Sequence, residues 1–139
     1  MAGDARRRVI CADTSIMVAG LRGEHGPDVD LIHSAVVDGS LVLAPVAVSE
    51  LLSDPELPAD IEAYLLGIPQ LEIKPGYWER AGKLYARLMR HHFKPKLADS
   101  LIAQSCLDHG VPLVTRDRDF SAFQKLAGLR VLAGPTRLQ

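Results

Sequence analysis

The sequence predicts a three-layer α/β/α domain built on a central, mostly parallel β-sheet. Short runs of Val, Ile and Leu recur along the chain and alternate with longer segments of helical periodicity. These runs lack the in–out alternation of a half-exposed sheet, which indicates strands buried on both faces. The 139 residues amount to one domain, so residues 1–139 are predicted to form a single unit.

The predicted strands are the apolar runs Arg8–Ala12, Leu41–Ala44, Leu71–Lys74, Pro112–Thr115 and Arg130–Ala133. The predicted helices between them are Pro27–Val37, Pro45–Leu52, Ala59–Leu66, Tyr77–His91 and Leu97–His109. A proline in the first turn favours the first two helices, and Gly110 is well placed to end the last one. Alternating strands and helices place ligand sites at the carboxyl ends of the strands.

Composition excludes several classes of protein. Hydrophobic residues make up 47% and charged residues 24%, so a disordered or fibrous chain is excluded. No apolar run approaches the roughly 20 residues of a membrane helix. Asp13 interrupts the apolar stretch behind the charged residues Asp4, Arg6, Arg7 and Arg8, which makes a poor signal peptide, so a cytoplasmic location is expected. Two cysteines in apolar runs, Cys11 and Cys106, are predicted to be buried thiols.

The net charge of −1 conceals an asymmetry along the chain. Residues 22–72, called the acidic segment below, carry ten acids and one base, whereas residues 73–139 carry twelve bases and five acids. The C-terminal half can therefore present a basic face to a polyanion. The acidic segment is either a surface for a basic partner or ordinary solvated surface.

Isolated acids inside apolar segments are the most informative feature. Asp13, Glu50 and Asp99 are each the only charge in runs of 13, 15 and 11 residues. Asp13, Glu50 and Asp117 follow predicted strands, and Asp99 lies in the first turn of a predicted helix. A buried carboxylate must find a partner or lose its charge. Because the ends of parallel strands share one rim of the sheet, these positions are expected to converge there.

Carboxylates that meet at one rim need a counter-cation. Two like charges about 4 Å apart repel by roughly 4 kcal/mol at an effective dielectric of 20. Oxygen ligands without Cys or His favour Mg²⁺ or Mn²⁺, either of which can activate a water and stabilise charge on a phosphoryl oxygen. Taken singly, each acid has a simpler interpretation, with Asp13 and Asp99 as helix caps, Glu50 facing solvent and Asp117 in a charged loop.

Taken together and in this order, four stretches resemble the PIN-domain ribonucleases, especially the VapC toxins of bacterial toxin–antitoxin pairs. The stretches are Ile10–Ser15, Ala44–Leu52, Leu97–Ala103 and Leu113–Phe120. The resemblance extends from residue 8 to about residue 132 and therefore covers nearly the whole chain.

The resemblance implies a PIN-like fold whose clustered acids hold one or two Mg²⁺ or Mn²⁺ ions. The implied catalytic and metal-binding acids are Asp13, Glu50, Asp99 and Asp117, with Asp119 as a further metal ligand. The hydroxyl side chains expected to orient a carboxylate or a water are Thr14, Ser15 and Thr115. The implied reaction is endonucleolytic cleavage of RNA by metal-activated water, which leaves a 3′-hydroxyl and a 5′-phosphate. A homodimer and a cognate antitoxin are implied as well.

The predicted helix Tyr77–His91 has two contrasting faces. One arc is apolar and consists of Trp78, Ala81, Leu84, Tyr85 and Leu88, of which Trp78 is predicted to lie in the core. The opposite arc is basic and consists of Arg80, Lys83, Arg87 and Arg90. The basic arc is either a solvated face or a stripe that follows RNA phosphates. Arg116 and Arg118 flank Asp117 and are candidate contacts to the scissile phosphate.

Other functions are weighed against the nuclease. A receiver-type signalling domain that binds Mg²⁺ needs an acid pair after its first strand and a Lys after its last, but Asp13 stands alone and no Lys follows Val131. A haloacid-dehalogenase-like phosphatase fails because Ser15, not Asp, lies two residues after Asp13. A catalytically silent PIN fold that only binds RNA or regulates stays open, as does DNA in place of RNA.

Overall fold

A four-stranded parallel sheet in the order β2-β1-β3-β4 forms the centre of the computed structural model, which describes residues 8–132. The strands are β1 (Ile10–Ala12), β2 (Leu41–Val42), β3 (Leu113–Val114) and β4 (Val131–Leu132). The helices are α1 (Thr14–Leu21), α2 (Pro27–Val37), α3 (Pro45–Leu52), α4 (Ala59–Leu66), α5 (Tyr77–Arg90), α6 (Leu97–His109) and α7 (Ser121–Ala127). A 3₁₀ turn, Arg118–Phe120, precedes α7. The predicted α/β/α class with a parallel sheet is confirmed.

The sheet separates two hydrophobic clusters, as the alternation of side chains along β1 requires. Ile10 and Ala12 belong to the cluster formed with α1 to α4. Cys11 belongs to the opposite cluster, which includes Leu88 of α5 and Cys106 of α6. Both cysteines are buried and free, as predicted. Every residue of β1 is therefore buried, which explains its continuous apolar sequence.

The pairing of β1 with β3 positions the rim of the sheet where the acids lie. Cys11 pairs with Leu113 and Ala12 with Val114, so the next residues, Asp13 and Thr115, leave the sheet side by side. The Asp13 amide donates to the Val114 carbonyl at 2.9 Å, which extends the pairing by one hydrogen bond. Residues after two central strands thus share one edge.

The prediction of a strand at Leu71–Lys74 is wrong, because the structure has no strand there. The chain makes a single parallel bridge there, between Leu43 and Gln70, and then leaves the edge of the sheet. Pro69 has no N–H and bonds the Leu43 amide through its carbonyl only, at 3.0 Å. Glu72 and the two residues after it are exposed, so nothing holds them against β2. The other predicted strands are each one or two residues shorter than expected, and Ala133 lies outside the described residues, as do Asp4, Arg6 and Arg7.

Helix α5 corrects the placement of Trp78, which is 61% exposed. The buried face of α5 consists of Tyr77, Ala81, Leu84 and Leu88. Successive residues differ by about 100° around a helix, so with Tyr77 turned inward Trp78 falls outside the buried arc. Its ring lies against Tyr77 edge to face, with centroids 4.9 Å apart. Within the described residues, no helix has the length and apolarity needed to cross a membrane.

Candidate metal centre

Three aspartates from two parts of the chain meet at this rim. Asp99, Asp117 and Asp119 each offer a carboxylate oxygen, and these atoms lie within 4.8 Å of one another. Asp99 lies in the first turn of α6 and is buried, Asp117 follows β3 and is half-buried, and Asp119 in the 3₁₀ turn is exposed. The cluster therefore extends from a buried carboxylate to an exposed one.

Local hydrogen bonds bring Asp117 and Asp119 together. The Asp117 amide donates to Thr115 Oγ1 at 2.9 Å, and Asp117 Oδ1 in turn accepts from the Asp119 amide at 2.9 Å. Asp117 thus caps the 3₁₀ turn in which Asp119 lies. The sequence Thr-Arg-Asp-Arg-Asp after β3 folds into a tight turn that presents two acids on one side.

The buried carboxylate of Asp99 lies in surroundings that disfavour its charged form. Its Oδ2 atom is buried and has no hydrogen-bond partner among residues 8–132. Burial, together with the negative charges of Asp117 and Asp13, raises the pKa of Asp99 to about 7, against a smaller opposing effect of Lys96. A buried oxygen of this kind is destabilising unless a cation or donor satisfies it.

Asp13 lies beside the cluster and is held firmly by hydroxyl groups. Its Oδ2 accepts hydrogen bonds from Ser15 Oγ and Thr115 Oγ1, both at 2.7 Å, and a longer one from the Ser15 amide. In the described part of the chain, no hydrogen bond falls on Oδ1. Asp13 therefore caps α1 and also contributes negative charge to the surroundings of Asp99, so its two predicted roles are compatible.

Glu50 lies further from the cluster than its sequence context predicts. It is exposed on α3, and its Oε1 accepts a hydrogen bond from Thr14 Oγ1 at 2.7 Å. The predicted set is therefore divided among three groups: Asp99, Asp117 and Asp119 form the cluster, Asp13 borders it, and Glu50 is held at the rim through Thr14. The predicted hydroxyl residues each donate to one of these acids: Thr14 donates to Glu50, and Ser15 and Thr115 donate to Asp13.

The cluster fits a hard divalent cation. All its donors are carboxylate oxygens, which Mg²⁺ and Mn²⁺ prefer. The unpartnered Asp99 Oδ2 is the atom that such a cation would satisfy. Asp99, Asp117 and Asp119 are the side chains that would hold it, with Asp13 adjacent.

Two of the predicted RNA-contacting arginines are engaged within the chain. Arg116 binds Asp28 and Glu24, and Arg80 binds Asp108 with Nη2–Oδ2 at 2.6 Å. The remaining predicted cations, Lys83, Arg87, Arg90 and Arg118, are exposed and make no ion pair within residues 8–132.

Sequence analysis missed Asp28 as a buried acid. An Asp after the Pro that opens a helix is typical of an exposed first turn, and Asp30 in the same turn is exposed. Only the pairing with Arg116, 88 residues away, distinguishes the two acids.

A family model described as the PIN domain matches residues 10–126. Comparison with curated proteins finds no match. Among solved structures, VapBC-5 from Mycobacterium tuberculosis, a member of the VapBC family of toxin–antitoxin systems, is 19% identical with a TM-score of 0.64, over 90% of this chain and 98% of that chain.

Two further solved structures are similar. VapBC2 from Rickettsia felis, bound to a DNA fragment from its promoter, is 15% identical with a TM-score of 0.71, over 90% of this chain and 98% of that one. VapBC-1 from nontypeable Haemophilus influenzae is 17% identical with a TM-score of 0.69, over 90% of this chain and 97% of that chain. At these identities the likeness shows the fold.

Proposed function

Because this chain belongs to the PIN domain family, we propose that it is a metal-dependent endoribonuclease and the toxin of a toxin–antitoxin pair. The family predicted from the four sequence stretches is thereby confirmed. The observation that carries the proposed activity is the cluster of Asp99, Asp117 and Asp119 around an unpartnered buried oxygen.

The chain's own residues supply the arrangement that hydrolysis of a phosphodiester needs. A bound Mg²⁺ or Mn²⁺ would activate a water and stabilise charge on the phosphoryl oxygens. Asp99, whose pKa is raised to about 7, is a group that would hold the cation in its deprotonated form and could release a proton near neutral pH. Thr115 and Ser15 fix the Asp13 carboxylate, so little reorganisation is required of it during the reaction.

The exposed cations of α5 support RNA as the substrate. Lys83, Arg87 and Arg90 lie on one side of α5, which packs along α6, the helix that carries Asp99. Together with Arg118, which lies between Asp117 and Asp119 in the sequence, they are the exposed cations available to RNA phosphates in this part of the chain. Replacing each by Gln should weaken RNA binding uniformly across sequences and reduce the salt dependence of binding by about one ion per contact.

A catalytically silent PIN fold is the main alternative, and Asp99 argues against it. A fold that only binds RNA has no use for a buried carboxylate whose charge is unpaired, because that charge destabilises the protein. A cation bound for catalysis accounts for it. The receiver-like alternative lacks its acid pair, since Thr14 and Ser15 follow Asp13.

The test compares wild type with Asp99→Asn on total cellular RNA, in Mn²⁺ and in a matched reaction with EDTA. Asp108→Asn is the control, because it makes the same change on the same helix at a carboxylate that binds Arg80 away from the cluster. We expect discrete cleavage by wild type and Asp108→Asn in Mn²⁺ only, and none by Asp99→Asn. Equal cleavage by Asp99→Asn would refute the proposal.

An antitoxin partner is supported by an apolar groove lined by residues of α1, α2 and α4. The groove has a volume of about 250 Å³ and is lined by Ile16, Met17, Gly20, Leu21, Ile32, His33, Ile61 and Tyr64. Its walls are α1 and two helices of the acidic segment, α2 and α4. An amphipathic segment with basic flanks would match both the apolar lining of the groove and the negative charge of the acidic segment around it.

The protein encoded next to this one is the natural candidate for that antitoxin. Tyr64→Asp places a charge in the groove at a residue that is 38% exposed. We expect it to abolish co-purification with the antitoxin while leaving RNA cleavage intact. Ala63→Gln, at an exposed position of the same helix outside the groove lining, serves as the control. Unchanged co-purification by Tyr64→Asp would exclude this groove.

A homodimer is supported by an exposed stripe along α5. Trp78, Gly82, Tyr85 and Met89 share one side of the helix, with Trp78 61% and Met89 47% exposed. An added Cβ on Gly82 would meet nothing within 4 Å, so the stripe is open to a second copy. Sedimentation should show a dimer for wild type and a monomer for Trp78→Glu; a monomeric wild type would contradict this part of the proposal.

A further inference from the structure

A further buried carboxylate, Asp28, takes no part in the cluster. Asp28, the second residue of α2, is 3% exposed. Arg116 binds it with two hydrogen bonds, from Nε to Oδ2 at 2.6 Å and from Nη2 to Oδ1 at 2.9 Å. This fork geometry is the strongest form of an Arg–carboxylate pair. The pKa of Asp28 is lowered, chiefly by the hydrogen bonds from Arg116.

The rest of the Arg116 guanidinium is also occupied. Nη1 donates to Glu24 Oε1 at 2.7 Å, and Nη2 donates to the His25 carbonyl at 3.1 Å. A guanidinium has five N–H groups, and four hydrogen bonds are now accounted for. One N–H is left for an RNA phosphate, which conflicts with Arg116 as the main scissile-phosphate contact.

The backbone of Arg116 belongs to the candidate metal centre. Its amide donates to Ser15 Oγ at 3.1 Å, and the same hydroxyl donates to Asp13 Oδ2. Asp117 is the next residue. The side chain of Arg116 therefore ties the turn that carries Asp117 and Asp119 to residues 24–28, while its main chain ties that turn to Ser15.

Gly26 shows that the chain is built to close around this pair. Its φ of +147° favours glycine. A Cβ at this position would lie 2.7 Å from Asp28 Oδ1 and 3.2 Å from Arg116 Nη2. Any other residue would displace the two groups that form the pair.

We propose that Arg116 and Asp28 form a positioning pair that sets the placement of Asp117 for metal binding, and that Arg116 is not an RNA contact. The inference rests on the proposed metal-dependent function. It assigns Arg116 a role that acts through its neighbour, and it makes Asp28, which cannot touch substrate, necessary for metal affinity.

The test measures binding of Mn²⁺ alone to the full chain, from the electron paramagnetic resonance signal of free Mn²⁺. The variants are Arg116→Lys, Arg116→Gln and Asp28→Asn. Asp108→Asn is the matched control, because it also breaks a two-bond Arg–Asp pair but one remote from the cluster. Circular dichroism verifies that each variant is folded, and anisotropy with labelled RNA in EDTA measures RNA binding separately.

We expect the Kd for Mn²⁺ to rise about tenfold or more in all three variants, the usual range for residues that support metal ligands, and to stay within about twofold in Asp108→Asn. Arg116→Lys keeps the charge but loses the fork, and Arg116→Gln loses both. RNA binding should be retained in both variants, because Arg116 is not an RNA contact; a loss of RNA binding in Arg116→Gln alone would overturn that part of the inference. If Arg116→Lys binds Mn²⁺ like wild type, the inference is overturned and the proposed function is not. This outcome can be read even if Asp28→Asn fails to fold. A wild type that binds no Mn²⁺ would overturn the proposed function as well.

Discussion

Asp28 and Asp99 are both almost completely buried, with 3% and 7% of their surfaces exposed, but their charges meet opposite surroundings. Arg116 binds both carboxylate oxygens of Asp28, and the pKa of Asp28 is lowered. Asp99 faces other acids, one of its oxygens has no partner within the described residues, and burial raises its pKa to about 7. A charge neutralised inside the chain is structural, whereas a charge left over is available to an external cation.

The comparison predicts opposite dependences of stability on pH. The folded-state pKa of Asp99 lies above its ordinary value of 3.8, so its favourable contribution is complete below about pH 3.8 and is lost as the pH rises through about 7. Burial is the largest cause of this shift, the negative charges of Asp117, Asp13 and Asp119 add to it, and Lys96 opposes it. The folded-state pKa of Asp28 is lowered, so its contribution is present above pH 3.8 and is lost as the pH falls.

Urea unfolding in EDTA measures the first dependence. Between pH 4 and pH 7 the free energy of unfolding of wild type should fall by an amount on the order of 3 kcal/mol, from about 1.4 kcal/mol per pKa unit. Asp99→Asn should remove most of this fall, and saturating Mn²⁺ should do the same for wild type. If the free energy of unfolding of Asp99→Asn fell with pH in parallel with that of wild type, Asp99 would not be the cause of the pH dependence, and the contrast with Asp28 would be contradicted.

A smaller difference is expected at a single pH. At pH 7.5 in EDTA, Asp28→Asn should lower the free energy of unfolding by about 2 kcal/mol, because Arg116 loses charged hydrogen bonds. Asp99→Asn should raise it under the same conditions, since the substitution removes an uncompensated charge. Urea titrations of the two variants check the signs, and equal losses in both would mean that the two carboxylates have similar surroundings.

The smallest effect is expected at the rim. Thr14→Val removes the hydrogen bond from Thr14 Oγ1 to the exposed Glu50. An exposed hydrogen bond contributes roughly 0.5–1 kcal/mol, so RNA cleavage should slow by about two- to fivefold. Steady-state cleavage rates measure this, with Ser53→Ala at the exposed end of α3 as the control. A loss as large as that of Asp99→Asn would place Glu50 in the cluster and sharpen the assignment.

Much of the fold was predictable because buried parallel strands have a clear sequence pattern, and the acids that follow β1 and β3 are the exceptions to that pattern. The register of the two strands, which the sequence pattern does not give, then brings Asp13 and Thr115 together. The edge of the sheet was harder to predict. Leu71 is as apolar as a strand residue, but the pairing here is a single bridge between Leu43 and Gln70, and the residues after Leu71 are exposed.

The features that the sequence did not predict concern which side chains the fold brings together. A helical wheel places Trp78 near the apolar arc, but the inward turn of Tyr77 decides which side of α5 is buried. Arg116 looks like a free cation beside Asp117, and its engagement depends on Asp28, which is distant in sequence. Glu50 has the same isolated context as Asp99 and is nonetheless exposed. Such pairings are set by tertiary packing, which periodicity and local spacing do not encode.

The most direct measurement of the central claim is anomalous diffraction from crystals of this protein grown with Mn²⁺. The account predicts a strong peak between Asp99, Asp117 and Asp119, about 2.2 Å from Asp99 Oδ2, the atom that has no protein partner among residues 8–132. A map with no peak at the cluster, and with Asp99 Oδ2 hydrogen-bonded to a protein group or a water instead, would contradict it.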